Sequence, residues 1–130
     1  MPSMTASGST GRAELLAAFA RNVRHQVVRQ IERERARAEE LRSGVLPIVA
    51  AAVARARGEG LCGRAWIFGS FVWGMPGERS DVDVLVEDTR DPDGFAALLA
   101  RACARDVHVV RRERAPGPLV DRALAEGLAV

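Results

Sequence analysis

The sequence has no tyrosine, no lysine, two cysteines, two histidines and no apolar run approaching the ~18 residues of a membrane span. Cys62 and Cys103 are far apart and form neither a Cys-x-x-Cys nor a Cys/His spacing. They read as small thiols of a reducing compartment, not as a metal or disulfide framework. The first ten residues, MPSMTASGST, lack the basic and apolar regions of a signal peptide. We expect a disordered tail over residues 1–10 and a cytoplasmic protein. A surplus of one charge is also missing. Nineteen basic residues face seventeen acidic ones, a net charge of +2, too even to indicate nucleic acid from charge alone. All the basic residues are arginine, which together with the abundant Ala and Val reads as codon usage of a GC-rich genome and not as a functional signal.

What is present fits one domain with a modest core: 130 residues, 48% of them hydrophobic. Residues 11–42 pattern as a helix, with Ser9 or Thr10 as N-cap and an apolar stripe of Leu16, Phe19, Val23, Val27 and Ile31. Such a helix is about 48 Å long, against a radius of gyration of ~14 Å for a domain of this size. It cannot lay its whole stripe on its own core, so we expect a homodimer through this helix. The charge-dense segment Glu32–Arg42 reads as solvated. Ser43-Gly44 and Pro47 predict a break or kink, followed by a more buried helix over Leu46–Arg57 and a glycine-punctuated loop. Strands are expected at Arg64–Phe68, Asp81–Glu87 and Asp106–Arg111. A helix from Pro92 to Ala104 separates the last two, and a short helix over Leu119–Glu126 is stopped by Gly127. This order suggests a small α+β or α/β sheet with helices on one side. The chain divides into the tail, a helical segment over residues 11–57 and a sheet domain over residues 58–130.

The chemistry concentrates in FGSFVWGMPGERSDVDVLV, residues 68–86. Asp81 and Asp83 stand two apart among apolar residues, so on a strand they share a face. Paired carboxylates there are costly unless a cation binds between them. Gly69 lets the backbone approach a ligand closely, and Ser70 offers a hydroxyl and an N–H at the opening of a short helix, a seat for phosphate. Mg²⁺ ions held by Asp81 and Asp83 would bridge the same phosphates and activate an attacking hydroxyl. Chance produces this four-residue pattern in roughly one chain in 700 of this composition. The preceding strand and the surrounding apolar residues are therefore what carry the reading. The alternatives are structural. The aspartates could cap a turn or pair with Arg79, His25 could be a polar-face residue, and Trp66 and Trp73 could be core aromatics, although Trp73 could stack on a base. Arg111, Arg112 and Arg114 read as a solvated edge or as a phosphate or partner contact.

WIFGSFVWG and SDVDVLVE, with Ser80 opening the second motif, resemble the minimal nucleotidyltransferases of the DNA polymerase beta superfamily, which often serve as antitoxins in bacterial toxin–antitoxin pairs. VHVVRRERAPGPLVDRALAEG is similar to that family's closing segment, so the resemblance covers about residues 64–127. It implies an α+β fold with a small mixed sheet flanked by helices, a polymerase-beta-like palm preceded by the long N-terminal helix. It also implies ATP as substrate, two Mg²⁺ ions, and transfer of AMP to a hydroxyl of an all-helical toxin encoded next door. Gly69, Ser70, Ser80 and Trp73 would serve the nucleotide. Trp73 stands where the family often has a basic residue. The gap-free match puts His108 at the third-carboxylate position, with Asp106 two residues earlier on the same strand face. Either could complete the site, His108 as general base or Asp106 as third acid; alternatively the site uses only two carboxylates and His108 is an ordinary half-buried histidine. The other functional classes are a catalytically degenerate module that binds nucleotide or neutralises a partner by contact, and an enzyme modifying nucleic-acid ends. The latter is disfavoured because no basic domain accompanies the motif.

Overall fold

The structure is a computed structural model describing the backbone from residue 2 and side chains from Gly11 onward. The tail expected over residues 1–10 therefore lies outside the residues whose surroundings are described. Contacts divide the chain into two units, residues 1–35 and 36–130. The first unit is helical, and none of its described side chains is buried. Among the described residues no helix is long and apolar enough to cross a membrane.

The first element, α1, runs Pro2–Gly58. It is continuous through Ser43, Gly44 and Pro47, where the sequence predicted a break or a kink, so the break does not occur. The reason is the face they occupy. Pro47 removes one N–H and leaves the Ser43 carbonyl without its i+4 donor. Ser43, Gly44 and Pro47 are all exposed, so water can solvate that carbonyl, while Leu41, Val45, Val49, Val53 and Ala56 bury the other side in the core.

In the second unit α1 is followed by β1 (Ala65–Phe68), α2 (Ser70–Trp73), β2 (Val82–Val86) and α3 (Pro92–Cys103). Then come β3 (Val107–Arg111), a 3₁₀ turn (Arg112–Arg114), α4 (Gly117–Glu126) and β4 (Leu128–Ala129). The fold is α+β, a mixed four-stranded sheet in the order β3-β2-β1-β4 flanked by helices, consistent with a small palm-like arrangement. β1 is antiparallel to β2 and β4, whereas β2 and β3 are parallel because α3 returns the chain between them. Asp91 caps α3 by accepting from the Gly94 N–H at 3.0 Å, and Pro92 starts it. The two-residue β4 was not expected from the sequence.

Alternation along the strands sorts the two faces. Ala65, Ile67, Val82, Val84, Val86, Val107 and Val109 face the larger core, with α1 and with Phe95 and Leu99 of α3. Trp66, Phe68, Leu85 and Val110 face a smaller one that Leu119 and Ala123 of α4 close. Helices thus cover both faces, where the sequence pattern had suggested one. Asp83 and His108 belong to the α4 side by the same alternation.

Candidate active site at the start of the parallel strand pair

Asp83 is the centre of the arrangement. Antiparallel pairing sets it opposite Phe68, the residue before Gly69, and parallel pairing sets it beside His108. Gly69 has φ +76°, and a Cβ there would overlap the Asp83 carboxylate. Glycine is thus required twice, by a left-handed backbone and by the room the carboxylate takes. His108 Nδ1 lies 3.5 Å from Asp83 Oδ1, with the imidazole side chain 68% exposed and the carboxylate 26%. Burial raises the Asp83 pKa above the ordinary carboxylate value. The neighbouring His108 opposes that shift, and the charge of Asp81 adds to it. This carboxylate is held next to like charge with little solvent, an environment that favours a bound cation.

Asp81 precedes β2 and is exposed, and Asp106 precedes β3 and is exposed. The two line one cavity with Glu78, Arg79 and Arg105, while Asp83 and His108 pair one step further along the strands. Among the described residues no group of three or more His, Cys, Asp or Glu is arranged to hold a metal ion. Ser70 begins α2 and is half-buried. The Ser80 hydroxyl accepts from the Gly77 N–H at 2.8 Å and so closes the turn that leads into β2. Trp73 packs on Phe68 at 5.7 Å between ring centroids, and the Arg122 guanidinium of α4 lies 4.0 Å from its ring centre. One face of this indole is therefore taken by a cation from α4.

Two arginines that sequence reasoning missed position the loop between the motifs. Arg42 of α1 donates through Nε to the Phe71 carbonyl at 3.2 Å and through its terminal nitrogen to the Gly74 carbonyl. These are carbonyls that the single-turn α2 leaves without helical partners. Arg105 donates to the carbonyls of Gly77 (3.1 Å), Glu78 (2.9 Å) and Ser80 (2.8 Å), and it stacks on Phe71 at 5.3 Å. At the other end of the same sheet face, Glu87 accepts a two-pronged pair from Arg64 and a further bond from Arg112. Both guanidiniums lie over Trp66, at 5.5 and 5.7 Å. The Arg64 hydrogen bonds, then those from Arg112, hold the Glu87 pKa below its ordinary value against partial burial.

Comparison with family models, with curated proteins and with solved structures finds no match.

Proposed function

We propose that this chain is a Mg²⁺-dependent nucleotidyltransferase of the minimal polymerase-beta type, moving AMP from ATP onto a hydroxyl of a protein partner. The observation that carries the reading is the contact of the Gly69 backbone with the Asp83 carboxylate, with His108 on the next strand. A strand–Gly–Ser turn and an Asp-x-Asp strand meet where a phosphate and a cation would both be held. The donor set fits magnesium, since Asp81 and Asp83 offer hard carboxylate oxygens and the triphosphate and water would complete the shell. Bound there, magnesium would neutralise phosphate charge, make the attacking hydroxyl more acidic and steady the pyrophosphate that leaves as the hydroxyl oxygen replaces it on the α-phosphorus.

The remaining roles belong to the chain. Ser70, through its hydroxyl and main-chain N–H, orients the phosphates against the bare backbone of Gly69. His108 takes the proton of the acceptor hydroxyl at Nε2, its ring oriented through Nδ1 by Asp83. Asp106 acts with Asp81 at the rim. Arg42 and Arg105 fix the loop from Phe71 to Ser80, so the two motifs keep their spacing. A role of this kind draws on cytoplasmic ATP.

The acceptor we infer is a tyrosine hydroxyl on an all-helical protein encoded next door. The exposed stripe of Leu16, Phe19, Val23, Val27 and Ile31 favours a second reading, a module that neutralises its partner by contact. Within the enzyme reading that stripe is covered by a second copy. An isolated helical stretch of about 25 residues gains most of its stability from a packed face, and a twofold contact sets identical apolar stripes together. The deciding experiment incubates the protein with Mg²⁺, α-phosphate-labelled ATP and the neighbouring gene's product. Label on the partner is the expected result. A tight complex that stays unlabelled contradicts transfer and leaves the binding module.

A further inference from the structure

A second polar cavity lies at the opposite end of the parallel strand pair, where Arg111 is the register partner of Val86, about 10 Å along β2 from Asp83 at ~3.3 Å per residue. It is lined by Gly60, Asp88, Thr89, Arg90, Arg111 and Glu113, and none of these belongs to the site described above. Thr89 is only 2% exposed, the sole polar residue of the buried core among the described residues. Its hydroxyl and the Nε–H of Arg111 are both buried, and neither has a hydrogen-bond partner. Each orphaned group of this kind costs the desolvation of a polar atom. Both residues line the same cavity, and because the two atoms present almost no surface to it, a ligand reaches them only as the side chains turn toward it. One of the two acids of the cavity is already engaged. Glu113 accepts the Asp88 N–H at 2.9 Å, which lowers its pKa first, with the Arg111 charge adding to the effect. The Asp88 carboxylate packs against Gly63. Asp88 itself has φ +57°, a left-handed backbone that costs energy in a non-glycine residue and aims the chain into this turn.

We propose that this cavity binds a small oxyanion, a carboxylate or phosphate group, with the Thr89 hydroxyl and Arg111 Nε–H as buried donors and Arg90 at the mouth. Arginine suits the task because its charge does not titrate and its planar donors match an oxyanion in two prongs. The negative charges of Asp88 and Glu113 favour a ligand of low charge over a polyphosphate. The site is therefore distinct from the one proposed for ATP, and it stands whether or not that reading does.

The test follows the melting temperature of the full chain in EDTA, at constant ionic strength, with sodium acetate and sodium phosphate titrated separately. The expected result is a rise of roughly 3–6 °C that saturates in the millimolar range with at least one of them. The anion giving the larger rise identifies the group. Asp83→Asn should keep this response, whereas Thr89→Val and Arg111→Gln should lose it. Without ligand, Thr89→Val should melt at the same or a higher temperature, since it removes an unsatisfied hydroxyl at constant shape. The proposal is overturned by a lack of saturation with both anions or by an undiminished response in Thr89→Val and Arg111→Gln. It is equally overturned by a lower melting point of unliganded Thr89→Val, which would mean that the hydroxyl is satisfied within the fold by water.

Discussion

Val23 and Val27 stand four residues apart on α1, and so do Val49 and Val53. The first pair is 41% and 51% exposed, and the second pair is 0% exposed. The residues, the spacing and the helix are the same, yet the later pair packs in a core with the sheet and α3. A helical apolar stripe announces that a face will be covered; it does not say by what. The stretch before Arg35 thus carries the pattern of a core without a core, whereas the stretch after Ala36 is part of one.

The largest contrast comes from placing a charge in each pair. Val53→Asp buries an uncompensated carboxylate and should cost about 3–5 kcal/mol, enough to unfold much of the protein in urea titrations. Val23→Asp with Val27→Asp should leave the unfolding free energy of residues 36–130 unchanged and convert a dimer to a monomer by light scattering. A wild type that is monomeric at micromolar concentration would remove the second copy from the account.

Ion pairs should divide the same way. Glu87, set between Arg64 and Arg112, has a lowered pKa, so its contribution is present above the unfolded carboxylate value and is lost as pH falls through the folded one. Glu87→Gln should cost about 1 kcal/mol at pH 7, and the difference from wild type should vanish on acidification. Glu34→Gln, on the exposed stretch where Glu34 accepts from Gln30, should cost no more than about 0.5 kcal/mol at pH 7.

Glycines give the smallest and finest comparison. Neither Gly11 nor Gly44 has anything within 4 Å of the position a Cβ would take. Gly44→Ala should raise the stability of the compact unit by about 0.5–1 kcal/mol through helix propensity. Gly11→Ala should leave that unit's denaturation midpoint where it was.

The same contrast explains what the sequence could disclose. The strands were legible because β-branched runs such as Val82–Val86 are bounded by turn residues. The final helix was legible from its Pro-Gly-Pro start and Gly127 stop. No break occurs at Pro47, one of the two outcomes the sequence suggested, because a solvent-facing proline costs a carbonyl that water can serve, a fact about burial and not about local pattern. β4 is too short to leave a periodic signal. In the site, Gly69, Ser70, Asp81 and Asp83 announce themselves by spacing, and the approach of Gly69 to the Asp83 carboxylate is what residue-level pattern reading can reach. Arg42 and Arg105 could not be found that way. Their partners are main-chain carbonyls 25 to 32 residues distant, and carbonyls have no residue type.

The central claim is that the face shared by Asp81 and Asp83 holds a metal–nucleotide complex, and differential melting tests it most directly. Wild type with ATP and Mg²⁺ should melt several degrees above the protein alone, and EDTA should erase the gain. Asp83→Asn removes a carboxylate that burial and Asp81 make costly, so without ligand it should be as stable as wild type or slightly more so. With ATP and Mg²⁺ it should show no gain at all. A normal gain in Asp83→Asn, or none in the wild type, would contradict the assignment of this site.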